Sequence, residues 1–298
     1  SSAKQGGISM YVITGATGHT GSIAAETLLR AGKKVRVVVR DAGKAKALAA
    51  QGAEVVVATL EDEAALTQAM LGAEGVFLLS PPDLGASDFL TERKKLTASL
   101  ARAAKAAKVA HVVFLSSIGS QHAQGTGPII STHDAERALA ESGLAVTFVR
   151  AAYFAENWSG VLQPAQQDGV LPSFIAASRA IPMVATEDIG KTVAEALLDG
   201  PRGKRVIELS GPVELSPNDV AAALSRILGR AVKVVEAPLD AVVPTFTSLG
   251  ASQNIAELFR QMYAGIADGK VAWEGGNAEA RRGTTSIEQT LRTLTGKQ

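Results

Sequence analysis

The sequence predicts an α/β fold with a doubly wound parallel sheet, and three observations support that prediction. From residue 10 to residue 150, short apolar runs alternate with longer helical patterns, which is typical of parallel strands joined by crossover helices. Glycines at 32, 52 and 143 follow the helical patterns as stops. A glycine-rich segment also lies between the first strand and the first helix. Together they favour a Rossmann-type fold.

The elements of this first part follow one another in order along the chain. Predicted strands cover 10–14, 34–39, 54–57, 76–79, 112–115 and 146–150. Predicted helices cover 22–31, 43–50, 63–70, 88–108 and 132–142. Because a helical pattern follows nearly every strand, the connections are expected to be crossovers of one parallel sheet.

The rhythm changes after residue 151. Prolines at 164, 172 and 182 interrupt the alternation, and the C-terminal third is mainly helical in pattern. Further helices are predicted at 187–198 and 217–228, and further strands at 206–209 and 232–236. We expect a main domain at 10–157 that is completed by 186–210, and a smaller, mostly helical lobe made of 158–185 and 211–298. Residues 1–9 are interpreted as a disordered lead or an expression remnant.

Composition excludes several classes of protein. The 298 residues carry 30 basic and 29 acidic side chains, a net charge of +1, which gives no basic footprint for nucleic acid. The chain has no cysteine, so a disulfide framework, a thiolate metal site and a cysteine nucleophile are excluded. The four histidines lack ligand spacing, so no metal is expected. No apolar run approaches the roughly 18 residues of a membrane span, so we expect a cytoplasmic protein, and a homodimer is compatible with the low net charge.

The most informative motif is the turn between the first strand and the first helix. Its glycines follow the spacing G-x-x-G-x-x-G in Thr14-Gly-Ala-Thr-Gly-His-Thr-Gly21. A strand that enters a helix through such a turn directs backbone N–H groups and the positive end of the helix dipole at one point, which suits a pyrophosphate. The alternative is an ordinary glycine-rich turn. The residues assigned to a dinucleotide cofactor here are Thr14, Gly15, Thr17, Gly18, His19, Thr20 and Gly21.

The end of the second predicted strand indicates which dinucleotide. An acidic residue there would bind the ribose hydroxyls of NAD, but this chain has Arg40, nineteen residues after Gly21. A guanidinium matches a ribose 2′-phosphate in charge and geometry, so the sequence predicts NADP(H). Lys44 is a second candidate contact, and the acidic neighbour Asp41 is the complication. The alternative for Arg40 is a solvated charge at a strand end.

Several catalytic motifs are absent. A short-chain reductase usually has a tyrosine followed four residues later by lysine, but Tyr11, Tyr153 and Tyr263 are followed at that distance by glycine, asparagine and alanine. There is no G-x-S-x-G elbow and no H-E-x-x-H helix. The sequence therefore predicts that most of the chemistry comes from the cofactor.

Three polar residues near the fifth strand are candidates for the reaction site. His133 lies near the start of the helix after that strand, and it is the candidate catalytic and cofactor-orienting residue. The alternative is a capping or surface histidine. Ser116 and Ser117 follow the fifth strand at its carboxyl end, where ligands of open sheets bind, and are candidates for cofactor contact. Plain turn serines are the alternative.

These residues carry a resemblance to a known family. The glycine turn, the Val39-Arg40 strand end, the segment His133-Asp-Ala-Glu-Arg and the block from Thr147 to Asn157 resemble the NmrA-like atypical short-chain dehydrogenase/reductases. Within them the chain looks most like type 2 NAD(P)H:quinone oxidoreductases and triphenylmethane reductases. The resemblance runs from Met10 to the C-terminus and is strongest over 10–160.

The resemblance implies an NADP(H)-binding domain, a small lobe, and a planar acceptor in the cleft between them. In those relatives hydride passes directly from the nicotinamide to a planar electrophile, without the tyrosine and lysine pair. By resemblance, Ser80 and Pro81 pass near the cofactor, and Tyr153, Phe154, Asn157 and Trp158 line the acceptor cleft. Core packing is the alternative for Phe154 and Trp158.

The chain also departs from those relatives. They often carry Gly-Asp after the third strand, close to the adenine, whereas this chain has Ala58-Thr59, and we assign Thr59 and Leu60 to the cofactor there. Their Pro-Gly after the sixth strand is Ala151-Ala152 here. The predicted function is an NADPH-dependent reductase of quinones or similar conjugated acceptors. A redox sensor that binds NADP(H) and acts through a protein partner is the alternative, and an epimerase is disfavoured because it needs the absent tyrosine.

Overall fold

The computed structural model describes residues 9–298, so the predicted lead lies outside the described residues apart from Ser9. The strands are β1 (Met10–Thr14), β2 (Lys34–Val39), β3 (Glu54–Val57), β4 (Gly75–Leu78), β5 (His111–Ser117), β6 (Val146–Ala151), β7 (Tyr153–Phe154), β8 (Val170–Ser173), β9 (Met183–Val184), β10 (Lys204–Ser210), β11 (Lys233–Glu236) and β12 (Glu279–Arg282).

The helices follow the same numbering along the chain. They are α1 (His19–Arg30), α2 (Lys46–Ala50), α3 (Glu63–Met70), α4 (Phe89–Ala106), α5 (Ile130–Glu141), α6 (Leu162–Asp168), α7 (Thr186–Asp199), α8 (Pro217–Leu228), α9 (Val242–Ser248), α10 (Gln253–Asp268) and α11 (Ile287–Thr295). Short 3₁₀ turns precede α2, α5, α6 and α9. None of the helices between residues 9 and 298 combines the length and the apolar composition that crossing a bilayer requires.

Eight strands form one parallel sheet in the order β12-β10-β6-β5-β4-β1-β2-β3. The chain first builds outward from β1 to β3 and then crosses to β4 on the other side of β1. This reversal opens a crevice at the carboxyl ends of β1 and β4, where open α/β sheets bind ligands. The predicted Rossmann-type fold is therefore confirmed.

Helices cover both faces of the sheet because successive strand residues point to opposite sides. Ile13, Val37 and Phe77 pack with α1 and α7 on one face. Val12 and Phe114 pack with α3, α4 and α5 on the other. Both faces are buried, which explains why the strands are continuous apolar runs.

The region after β6 differs from its prediction in the placement of its last strand. Strand β12 lies in the main sheet, paired with β10, although its residues were assigned to the smaller lobe. Its sequence, Glu-Ala-Arg-Arg, has no apolar run, and so no strand signal. In the lobe, β8 and β11 form a separate parallel pair packed against α8 around Leu171 and Leu224. The division of the chain into two parts otherwise remains a prediction.

The first helices also begin differently from their predicted bounds. Helix α1 starts at His19 and not at residue 22, so the last glycine of the turn is already helical. The segment predicted as one helix over 43–50 is a 3₁₀ turn, Ala42–Ala45, followed by the short α2. The Asp41 carboxylate accepts the Gly43 N–H at 2.9 Å and caps that 3₁₀ turn.

Candidate functional site

In the turn between β1 and α1, the backbone packs too tightly for a side chain at Gly15 or Gly21. Gly15 has φ +61°, and a Cβ there would lie 2.8 Å from Leu79 Cδ2. A Cβ on Gly21 would lie 2.3 Å from the Gly15 carbonyl oxygen, a backbone atom that cannot move aside. Gly18 N–H donates to the same oxygen at 3.0 Å. The glycines are therefore required by a close approach of the backbone, which is what a phosphate-binding turn needs.

The amino end of α1 is open toward the crevice. Its N-cap is Gly18, so no side chain caps the first N–H groups of the helix, and Thr17, Gly18 and His19 are exposed. Nearby, at the end of β4, the Ser80 hydroxyl is buried without a hydrogen-bond partner. Uncapped N–H groups, a helix dipole and an unpaired hydroxyl fit the pyrophosphate of a dinucleotide.

Two threonines of the turn are buried. The Thr14 hydroxyl donates to the Phe77 carbonyl oxygen at 2.7 Å and so joins β1 to β4. The assignment of Thr14 to the cofactor stays a prediction. Thr20 is 8% exposed, beside α7.

Two exposed basic side chains follow β2. Arg40 and Lys44 are both exposed, and Arg40 forms no ion pair within residues 9–298. The Asp41 carboxylate accepts a hydrogen bond from the Gly43 N–H. Next to them, after β3, Thr59 is exposed and Leu60 is buried. Asp41 stays the acidic neighbour of Arg40, and the roles of Arg40 and Lys44 toward the cofactor remain predictions.

The two serines at the end of β5 face opposite sides of the sheet. Ser116 is 4% exposed, and its hydroxyl donates to Glu136 Oε2 at 2.5 Å. The same carboxylate accepts from Arg150 Nε at 3.0 Å and Arg150 Nη2 at 2.8 Å. Ser116 is therefore part of a buried ionic cluster under α5, and its assignment as a cofactor contact stays a prediction.

Ser117 instead lines an apolar cavity of about 140 Å³ at the carboxyl ends of β5 and β6. The cavity lies at the same edge of the sheet as the glycine turn, because all these strands are parallel. Tyr153, Phe154 and Asn157 line it, as the resemblance implied. Its other lining residues are Ile118, Ile129, Ala152, Ile181, Pro182, Met262, Ile266 and Val271.

His133 lies elsewhere. Its Nδ1 is 2.8 Å from the carbonyl oxygen of Ser120, and its ring lines a polar cavity together with Glu136 and Arg150. That cavity shares no residue with the apolar cavity. The geometry therefore favours the alternative, a helix-surface histidine tied to the loop after β5, over a residue that touches the acceptor.

The remaining predicted acceptor residues divide between cavity and core. Trp158 is 3% exposed, and its Nε1 lies 3.4 Å from Met183 Sδ, so most of its ring is core. Tyr153 lies between Trp158, at a ring separation of 6.3 Å, and Tyr263. Burial raises the pKa of Tyr153 well above its ordinary value, and Tyr263 adds to that effect. Burial also raises the pKa of Tyr263, so both phenols stay protonated at neutral pH.

Sequence analysis missed the contribution of α10. Met262, Tyr263 and Ile266 come from that helix, more than 100 residues after Tyr153, and meet it across the cavity. Their spacing marks one face of a helix, which in a sequence is indistinguishable from ordinary core. Within the described part of the chain, no three metal-binding side chains come together.

Glycines crowded by backbone atoms, next to the open amino end of α1, place the chain among the nucleotide-binding α/β proteins. The sequence profile of the NmrA-like family matches residues 9–283, and the chain belongs to that family. The chain is 28% identical over 255 residues to an NAD(P)H azoreductase of Xenophilus azovorans, a match that covers 86% of each. It is 30% identical over 267 residues to quinone oxidoreductase 2 of Escherichia coli (strain K12), covering 87% of this chain and 89% of that protein.

Solved structures agree with this placement. The NADPH-dependent quinone oxidoreductase of Escherichia coli, complexed with NADPH, superposes with a TM-score of 0.81 at 26% identity over 96% of this chain and 99% of that one. The triphenylmethane reductase of Citrobacter sp. gives 0.80 at 20% identity over 97% and 100%. NmrA, a negative transcriptional regulator in complex with NADP, gives 0.68 at 20% over 98% and 92%. The last two likenesses show the fold alone.

Proposed function

We propose that the chain is an NADPH-dependent oxidoreductase that passes hydride directly to a quinone or a similar planar conjugated acceptor. The observation that carries the proposal is the uncharged cavity at the ends of β5 and β6, on the same sheet edge as the glycine turn. An apolar cavity with a few hydroxyl and amide groups suits a flat, neutral ring. The relatives named for azo and quinone reduction support the reaction class.

The residues that would hold the cofactor lie along the crevice from β2 to β5. The backbone of Gly15 to Gly21 and the amino end of α1 suit the pyrophosphate, and the Ser80 hydroxyl, with Pro81 beside it, is unpaired nearby. Arg40 and Lys44 suit a ribose 2′-phosphate, with Thr59 and Leu60 at the adenine end. When bound, the dinucleotide supplies the hydride.

The chain itself contributes positioning and exclusion of water. Phe154, Ile129 and Met262 form apolar walls that favour a flat ring and disfavour water. Tyr153 and Asn157 offer hydrogen bonds to the acceptor's oxygen atoms. A quinone needs no strong acid beside it, because the reduced oxygen can be protonated from a neutral phenol or from water. This agrees with the absence of a lysine four residues after any tyrosine.

One experiment separates this function from its alternative. Purified protein is mixed with NADPH and a panel of quinones and dyes, and the absorbance of NADPH is followed. Oxidation at useful turnover supports the reductase. Tight NADPH binding without turnover of any acceptor would instead support the redox sensor.

The NADP preference has its own test in Arg40→Ala. Loss of a charge-assisted hydrogen bond to phosphate is expected to weaken NADPH binding about 10- to 100-fold and to change NADH binding little. The matched control is Arg137→Ala, which removes an exposed guanidinium that pairs with Glu141 on α5. Equal effects of Arg40→Ala on both cofactors would contradict the assignment.

A further inference from the structure

A second cavity adjoins the first and is larger. Its volume is about 280 Å³, and it shares Tyr153 and Asn157 with the first cavity. Tyr263 stands beside them on the second side. These three residues therefore form a polar boundary between two apolar spaces. Asn157 at this boundary is exposed.

The walls of the second cavity are aromatic and come from three separate segments. Phe174 follows β8, Phe246 lies on α9, and Tyr263 lies on α10. The Phe174 ring centroid is 5.2 Å from that of Tyr263 and 6.2 Å from that of Phe246. Rings at such distances form a packed apolar surface.

Neither cavity is lined by a charged side chain. An ionised group on a ligand would lose its hydration there and find no counter-charge, which is costly. The polar side chains available are all uncharged: two phenols and one amide at the boundary, Ser117 in the first cavity, and Ser173 and Thr245 in the second. The two cavities thus select against anionic substituents and accept hydrocarbon.

The volumes of the two cavities and the opening of the second one also favour a ligand that occupies both. The first cavity alone is below the roughly 300 to 1,000 Å³ typical of small-molecule sites, and it needs the second to reach that range. The second cavity opens to solvent beside Leu249, whose side chain is 76% exposed. A large apolar residue at a cavity mouth provides contact for a ligand that extends out of it.

We propose that the acceptor is a planar ring that carries an uncharged hydrophobic substituent, with the substituent in the second cavity. The ring occupies the first cavity, and the substituent passes between Tyr153, Asn157 and Tyr263 toward Leu249. The identity of the ring as a hydride acceptor rests on the proposed function, whereas the binding of the substituent does not.

The test compares naphthoquinones that differ only in one substituent: methyl, octyl or sulfonate. Affinity is measured without NADPH by equilibrium dialysis, and turnover is measured with NADPH. We expect the octyl compound to bind at least tenfold more tightly than the methyl compound, since it buries additional methylene groups. The sulfonate should bind at least tenfold more weakly than the methyl compound.

A variant that fills the second cavity tests whether the octyl group binds there. Thr245 is exposed on α9 and lines the second cavity, so Thr245→Trp narrows that cavity at a tolerant position. It should reduce octyl affinity at least tenfold and leave methyl affinity within twofold. Ser248→Trp is the matched control, because Ser248 is exposed on the same helix but lines neither cavity. Circular dichroism checks that both variants fold.

The outcomes separate the two proposals. Equal affinity for the methyl and octyl compounds, or an octyl preference that survives Thr245→Trp, overturns the inference about the second cavity. Oxidation of NADPH by either compound would still support the proposed function in that case. Conversely, an octyl preference without turnover of any quinone would uphold the second cavity and defeat the reductase.

Discussion

The two sides of the sheet at the end of β5 differ sharply in their chemistry. On the α5 side, the Ser116 hydroxyl and the Arg150 guanidinium converge on Glu136, and Arg150 Nη1 donates to Glu274 at 3.1 Å. On the other side, Ser117 faces a cavity without a charged residue. One peptide bond separates the two environments.

The difference shows how this sheet edge holds its shape while leaving a ligand site open. The carboxylate of Glu136 accepts three hydrogen bonds, so the buried charges are satisfied by one another and hold β5, β6 and α5 in register. The first cavity, on the other side, has no charged lining residue. Its apolar walls, hydroxyl groups and one amide suit a neutral ring.

Breaking the ionic side should have the largest effect. Arg150→Met leaves Glu136 buried without its counter-charge, which typically lowers the free energy of unfolding by about 3–5 kcal/mol. Chemical denaturation measures the loss. Removing both charges in Arg150→Met with Glu136→Leu should recover most of it, because an uncharged pair needs no hydration.

An exposed ion pair on α5 provides the control for this prediction. Arg137→Ala, which removes an exposed pair with Glu141 at 3.8 Å on the same helix, should change stability by no more than about 0.5 kcal/mol. If Arg150→Met cost no more than this control, the cluster would not hold the strand ends together.

The start of β5 provides a pH-dependent contrast with its end. Burial, together with the Arg205 guanidinium, lowers the pKa of His111 from 6.5 to about 4, and Asp199 opposes the shift. Since the unfolded chain then binds more protons, stability should fall as pH drops from 6.5 to 4 and level off below that. Between pH 6.5 and pH 4, the protonation of His111 should lower the free energy of unfolding by about 3 kcal/mol.

The measurement compares unfolding free energies of the protein and of His111→Gln across this pH range. The variant should show a shallower decline, whatever its stability at neutral pH. Parallel curves for the two proteins would mean that His111 keeps its ordinary pKa in the folded state.

Placing a charge on the uncharged side should have an intermediate effect. Met262→Glu introduces a carboxyl group into the first cavity. It should lower the free energy of unfolding by about 1–3 kcal/mol and weaken acceptor binding at least tenfold. Gln261→Glu adds the same group one residue earlier, outside both cavities, and should change neither quantity much. Equal acceptor affinity in the two variants would show that the cavity tolerates charge.

The neighbouring serines should show the smallest effects. Ser116→Ala removes a hydrogen bond to a buried carboxylate and should cost about 1–2 kcal/mol. The Ser117 hydroxyl donates to the carbonyl oxygen of Ile118 at 2.9 Å, and Ser117→Ala should change the free energy of unfolding by no more than about 0.5 kcal/mol. The difference is measured by denaturation of the two variants in parallel, and a reversed order would contradict the assignment of faces.

The turn could be predicted from sequence because its parts are consecutive. Gly15, Gly18 and Gly21 lie within seven residues and contact one another, and Arg40 directly follows the adjacent strand, so spacing alone predicts a binding turn here. Strand alternation also predicts that Ser116 and Ser117 face opposite sides. It does not tell which side holds the ions, because Glu136 and Arg150 reach the cluster from other elements.

The cavities could not be predicted in the same way. Tyr263 meets Tyr153 only through the packing of α10 against the strand ends, and no spacing in the sequence encodes that meeting. The same holds for His133, because a position near the start of a helix does not reveal which cavity the ring lines. The resemblance implied Tyr153, Phe154 and Asn157, but only the fold shows that Tyr153 and Asn157 line both cavities while Phe154 lines the first alone.

The last strand of the main sheet has a consequence for aggregation. An edge strand exposes unpaired backbone groups that can recruit a strand from another molecule. Here the edge is β12, four residues long, with Glu279, Arg281 and Arg282 along it. An identical strand laid beside it in the same direction would stack like charges along the new edge, which disfavours growth of the sheet from one molecule into the next.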